Sequence, residues 1–421
     1  MHVRISFGTT ALFAIAGLLA VSAMALPAPE SEPTLATRDL VPASVALTGA
    51  GYQVDSPTEV KDFLGRFSIR SDWGPLDATG ATLLSLRIAE MPALAELERV
   101  SRLDVFSRAI AESAGKTVDG IVRVARDPVG TVAGIPAGVG RLMSRATGMV
   151  GSAASAVSAS MQSGGGDAGP AGSQATDFAK ELAGLNRARR SLARSMGIDP
   201  YTGNPLVQRR LEDLAWASVA GGVPVSVATG AVSGVAGTML SVTRRLDSLV
   251  WDLSPTEIRE HLEPRLTVRG NSPKVAREFL RNTTFTPTLQ LLFVDALEPL
   301  GTIKGEEGLL KIAIGARSEA HALFLIQQLR MIRRHAGNDP VRELIALEQS
   351  VVARLGSGRR VLALPVDYLS WTARVAELAD HGRQDKGARE LIVSGIVSPT
   401  AASAARELGW RVSDLAGIVL D

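Results

Sequence analysis

Repeatedly this chain sets a short polar side chain directly before a proline, as at Ser56-Pro57, Asn204-Pro205, Ser254-Pro255, Ser272-Pro273, Thr286-Pro287, Asp339-Pro340 and Ser398-Pro399. Such a pair suits the start of a helix. The side-chain oxygen accepts one of the first-turn N–H groups that lack a helical partner, while proline supplies no N–H and already holds a helical φ. Ser56 and Ser254 are each followed by Pro-Thr-Glu, which completes a capping box. The recurrence of this device predicts helices near 205–222, 255–262, 273–282, 287–298, 340–355 and 399–408. Apolar periodicity adds others near 175–196, 225–249 and 306–336.

Before the first of these, residues 26–51 read as an extended lead-in, and 51–54 and 67–72 as short strands. A long helix is expected from Ala81, where Leu83, Leu84, Ile88, Met91, Leu94 and Leu97 keep an apolar stripe on one side and Pro92 is placed to kink or divide it. Residues 118–161 are dominated by Gly, Ala, Ser and Val. They lead into Ser163-Gly164-Gly165-Gly166 and on to Ser173, a composition that predicts a flexible linker.

The last sixty residues alternate differently. Strands are expected at 360–364, 391–393 and 410–412, with helices at 368–380 and 399–408 between them. The fold class expected is therefore mainly α, with a small C-terminal α/β (βαβαβ) module and short N-terminal strands. The division expected is a signal peptide at 1–25, an N-terminal α+β region at 26–161, a linker at 162–174, a helical domain at 175–358 and the α/β module at 359–421.

The first 25 residues predict export. Arg4 is the only full charge ahead of an apolar run from Ile5 to Val21. Ala23-Met24-Ala25 then offers small residues at the two positions that signal cleavage reads, and Leu26-Pro27-Ala28-Pro29 follows. Cleavage is expected between Ala25 and Leu26, which places the mature protein in the periplasm or elsewhere in the cell envelope. The chain has no cysteine, which excludes disulfides, thiolate metal sites and thiol nucleophiles and leaves stability to packing. Its net charge is only +2 and aromatic residues make up 4%, so neither an electrostatic footprint nor a stacking surface for nucleic acid is present.

Motifs that carry chemistry are scarce. Neither G-x-G-x-x-G, a P-loop nor a G-x-S-x-G elbow occurs, and no cofactor is expected. The histidines beyond the signal, His261, His321, His335 and His381, form no H-E-x-x-H. Glu257 and His261 lie one turn apart but lack a third ligand, and no metal is expected. His321, in an apolar helix, reads as a core histidine with a satisfied ring. The segment from Gly197 through Asp199-Pro200 to Asn204-Pro205 has one carboxylate, too few for a calcium loop. It reads as a helix C-cap, a turn and a new helix start. The best catalytic candidates are Asp367, Ser394 and Ser398, at the carboxyl ends of the last module's strands, where open α/β sheets take ligands.

Two surface features complete the set. Gly130, Gly134 and Gly138, and again Gly230 and Gly234, recur every four residues, a spacing that lets helices approach closely in a folded core or in a membrane. Arg187, Arg190 and Arg194 share one face of a predicted helix, a possible contact for a partner or an anionic membrane surface. The reading that follows is an exported envelope protein that binds or scaffolds an envelope protein or polymer without catalysis. Its alternatives are an envelope hydrolase at the strand ends of the last module and a membrane-associated protein built on glycine-spaced helices.

Overall fold

The computed structural model describes residues 26–101, 184–220, 249–376 and 388–414. Among them 50% are helical and 21% lie in strands, with a six-stranded antiparallel sheet at the N-terminal end and a five-stranded mixed sheet at the C-terminal end. This corrects the mainly α expectation. Two substantial sheets flank the helices, where a few short strands and one small module were expected.

The N-terminal sheet is built from β1 (Thr34–Leu35), β2 (Thr48–Gly49), β3 (Tyr52–Val54), β4 (Thr58–Lys61), β5 (Leu64–Ser71) and β6 (Leu76–Thr79). β5 pairs with β3, β4 and β6, while β1 joins β4 and β2 joins β3. Side chains alternate as a half-covered sheet requires: Phe67 and Ile69 of β5 are buried, and Arg66, Ser68 and Arg70 are exposed. The inner face packs on α1 (Ala81–Ser101), which runs through Pro92 undivided.

The helices that follow are α2 (184–196), α3 (Pro205–Ala220), α4 (Pro255–Thr267), α5 (Pro273–Leu280), α6 (Pro287–Leu297), α7 (Glu306–Ile314) and α8 (Glu319–Ala336). At Ser254 the capping box forms as expected, and Ser272 and Thr286 each accept the N–H three residues on. The single helix expected over 306–336 is two. The second is capped by Ser318, whose hydroxyl accepts from His321 N.

Two of these polar-proline sites start strands. Ser56-Pro57, a cis peptide, leads into β4, where Thr58 and Val60 are buried and Glu59 and Lys61 exposed. A true start such as Ser254 is followed by Ile258, Leu262 and Leu266, buried at a four-residue spacing. Asp339-Pro340 leads into β7 (Val341–Leu347) and β8 (Ser350–Leu355), an antiparallel hairpin in place of the helix expected at 340–355. The register shifts between Val341 and Glu343, so the buried residues Val341 and Leu344 fall three apart and imitate a helical spacing.

The hairpin continues into β9 (Arg360–Leu364). After β10 (Tyr368–Leu369) come β11 (Arg389–Val393), β12 (Ile396–Val397), α9 (Pro399–Glu407) and β13 (Trp410–Asp414). Strands β9, β11 and β13 are parallel neighbours, as a βαβαβ pattern requires, and β8 and β7 extend them antiparallel. The helix expected at 368–380 is corrected at its start: residues 368–369 pair with β12 and helix begins at 373, while 377–380 lie outside the described residues.

One continuous apolar core runs from Phe67 and Leu97 through Leu211, Phe279 and Leu329 to Val351 and Ile392. Its aromatic centre is Phe279, Phe285 and Phe293, with ring centroids 4.9–5.5 Å apart. A second cluster, around Trp371, Val393 and Leu408, lies on the other face of the parallel strands. Leu26, Leu64 and Phe324 pack against it.

Candidate functional site

Among the catalytic candidates, Asp367 turns inward. Its Oδ2 accepts from Gly65 N at 2.8 Å and Ala81 N at 3.0 Å, so it caps α1 and bonds β5 across a seam between the two ends of the chain. Burial pushes the carboxyl up to about 6, opposed by those two N–H donors. The void beside it measures about 20 Å³, room for about one water molecule. Ser394 donates its hydroxyl to Val366 O at 3.0 Å. Ser398 caps α9 by accepting from Ala401 N at 3.0 Å and also bonds the Glu30 carboxylate. The three side chains thus sit near the strand ends, where the sequence puts them, each hydrogen-bonded within the fold. Of the described histidines, His321 lies against Gln349 O and His335 against the Glu390 carboxylate.

A denser polar centre forms where the 197–204 loop meets α1, α6 and α8. Glu90 accepts from Asn204 Nδ2 at 2.8 Å, bonds the Thr202 hydroxyl and faces Arg87 at 3.4 Å. Arg87 in turn pairs with Glu319. Asn204 caps α3 by accepting from Leu206 N at 3.0 Å and Val207 N at 3.4 Å. Asp199 Oδ1 accepts from Tyr201 N at 2.8 Å and the Thr288 hydroxyl at 2.7 Å. Burial raises Glu90 above the usual carboxylate range, although Arg87 and its two hydrogen-bond donors oppose the rise. Asp199 is pushed up to about 6 by burial, with the charges of Glu90 and Glu319 adding to the effect. The loop's turn-and-cap geometry is as read from the sequence. Its function as the floor of a buried charge network is not, because Glu90 and Glu319 lie far away in the chain.

The arginines of α2 are partly engaged. Arg194 pairs with Asp252 at 2.8 Å and lies over the Trp251 ring, Arg190 bonds Tyr201 and faces Glu257, and Arg187 is exposed. His321 is half-buried, and its Nε2 lies 3.1 Å from Gln349 O. Glu257 is held by its own capping box, which lowers its carboxyl through the Ser254 contacts. Among the described residues no group of three or more His, Asp or Glu side chains could hold a metal ion.

An open cleft of about 530 Å³ lies between the end of α6 and the end of α8, lined by Asp295, Pro299, Arg330, Arg333, Arg334 and Asn338. Burial pulls the Arg330 guanidinium below its ordinary value, and Asp295 opposes this. Arg333 NH1 donates to Gly337 O at 2.7 Å, closing the last turn of α8. Cations at a helix C-terminus meet the negative end of its dipole, which accounts for part of this clustering.

No family model matches the chain, and neither curated proteins nor solved structures give a significant match. The remaining sequence candidates, Gly130, Gly134, Gly138, Gly230 and Gly234, lie outside the described residues, as do His381 and the stretch expected to be a linker. No described helix is long and apolar enough to cross a membrane. The charge network had one sequence signal that went unused: Arg87 and Glu90 interrupt the buried face of α1 between Leu84 and Met91. Polar residues on an apolar stripe need partners from elsewhere in the fold.

Proposed function

We propose that this chain is an exported cell-envelope protein that acts by binding rather than by catalysis. What supports the non-catalytic half is the bonding of Asp367, Ser394 and Ser398. Each hydroxyl or carboxylate at the strand ends is joined to another part of the fold, and the adjacent void is too small for a substrate. What supports binding is the open arginine-lined cleft, whose chemistry suits an acidic protein or polymer of the envelope. Export rests on the charged, apolar and small-residue order of the first 25 residues.

The test is the fate of the full-length chain in a Gram-negative host. A mature mass beginning at Leu26, recovered in osmotic-shock fluid, is the expected result. An uncleaved chain would overturn the export reading, and cleaved chain resistant to carbonate extraction would favour membrane association. For binding, polyglutamate titrated against the purified protein should weaken at least about tenfold in the Arg333→Gln/Arg334→Gln variant and fall steeply with salt. Equal affinity in both proteins would remove the cleft from consideration.

A further inference from the structure

The first described residues of the chain form no regular structure until β1, yet they are tied to its far end. Glu30 N donates to Trp371 O at 2.8 Å, and the Glu30 carboxylate accepts in return from Trp371 N at 2.8 Å. The same carboxylate oxygen bonds the Ser398 hydroxyl, and Thr400 adds a further hydrogen bond. The Trp371 indole donates to Pro27 O at 3.0 Å. Two residues on, Glu32 spans the β4–β5 turn, accepting from Phe63 N at 2.6 Å and Asp62 N at 3.0 Å. Burial alone would raise the Glu30 carboxyl. The contacts from Ser398, Trp371 and Thr400 together hold it below its usual range.

The location gives these contacts their meaning. Trp371 lies just beyond β10 and Ser398 directly after β12, a parallel pair, so Glu30 lies outside the carboxyl ends of two parallel strands, against the first turn of the nine-residue α9. That is where a parallel α/β edge receives ligands and where a helix dipole favours an anion. The position is filled by a carboxylate from the protein itself, on an extended segment with prolines at 27, 29 and 33. Ala28, Pro29 and Ser31 face solvent, so the segment is held by a handful of directed bonds and by Leu26, which packs against the second core cluster. Next to Trp371 in the chain, Ser370 is fully buried and its hydroxyl has no hydrogen-bond partner among the described residues.

We propose that residues 26–33 are a detachable ligand in cis, and that the groove between Trp371 and the start of α9 is a recognition groove for an extended, proline-containing peptide that presents a carboxylate. The prolines suit this use because an extended, pre-stiffened segment loses little conformational freedom on docking. The proposal stands apart from the export reading, since it concerns the purified chain from Leu26 onward.

The test uses a chain lacking residues 26–32 and a fluorescent synthetic peptide of residues 26–36. The shortened chain should bind the peptide saturably, and a peptide carrying Glu30→Gln should bind at least about tenfold more weakly. The chain that keeps its own segment should bind the peptide at least about tenfold more weakly than the shortened one, because its groove is filled. A folded shortened chain that does not bind the peptide, or one that binds both peptides equally, overturns the proposal. Should the deletion fail to fold, hydrogen exchange of the full-length Glu30→Ala variant, which removes the acceptor of the Trp371 amide, decides. The Trp371 amide should exchange at least about tenfold faster than in the native chain while the amide of Phe279 is unchanged, and unaltered protection at Trp371 overturns the proposal.

Discussion

Replacing Asp199 with asparagine tests the electrostatics of the buried polar centre directly. Both hydrogen bonds to the Asp199 side chain end on Oδ1, from Tyr201 N and the Thr288 hydroxyl, and an asparagine Oδ1 can accept both. What the substitution removes is the charge. The rise from 3.8 to about 6, caused by burial and reinforced by Glu90 and Glu319, corresponds to about 3 kcal/mol against the ionised form. Because the residue keeps some exposure to solvent, which screens the charge, this figure is an upper limit. A carboxyl with a raised folded-state pKa gives its full stability below the unfolded value near 4 and loses it as pH climbs to about 6. The Asp199→Asn variant should therefore be more stable than the native chain at pH 7.5, by about 1–3 kcal/mol, and equal to or less stable than it at pH 4. Urea denaturation of both proteins at the two pH values measures the difference. A variant destabilised at pH 7.5, or shifted equally at both, would refute the reasoning, since it would mean that the charge is stabilised by its surroundings.

Four further substitutions probe other parts of the fold. Asp367→Ala leaves the Gly65 and Ala81 N–H groups unpaired at the seam, and thermal or urea unfolding should show a loss of about 2–4 kcal/mol; no loss would mean that the seam does not depend on this carboxylate. Phe279→Ala empties the centre of the aromatic triad and should cost about 3–5 kcal/mol in the same assay. Gly305→Ala sets a methyl group against the Leu344 carbonyl at φ +79°, whereas Gly337→Ala, at φ +56°, meets open space. The first should lower the melting temperature clearly more than the second, whose cost is confined to about 1 kcal/mol of backbone strain.

Local chemistry was legible where it acts within a few residues. Ser254, Ser272, Thr286 and Ser398 start helices because their own hydroxyls reach the next turn, and β9, β11 and β13 follow from short apolar runs broken by turn residues. Errors arose where one local signal serves two structures. Serine-proline precedes a strand as readily as a helix at Ser56, and only the alternation of Thr58, Glu59, Val60 and Lys61 separates them. At Val341 the register shift conceals the alternation itself. β1 and β2, at two residues each, are too short to carry any period. For the candidate site, Asp367 stands directly before the helix expected at 368–380. It caps one that begins 286 residues earlier, a pairing no local pattern can encode.

That pairing also sets an order of events as the chain folds. Gly65 and Ala81 belong to the part of the protein made first, and their partner Asp367 arrives only after most of the chain has been synthesised. Closing a loop of this length costs about 5 kcal/mol in chain entropy beyond a fixed constant, so the contact cannot form early and hold on its own strength. The helices between must assemble first and bring the ends together. High sequence separation of this kind slows folding and prolongs the exposure of unfinished sheet edges. The first strands to be made are thus among the last parts to be sealed.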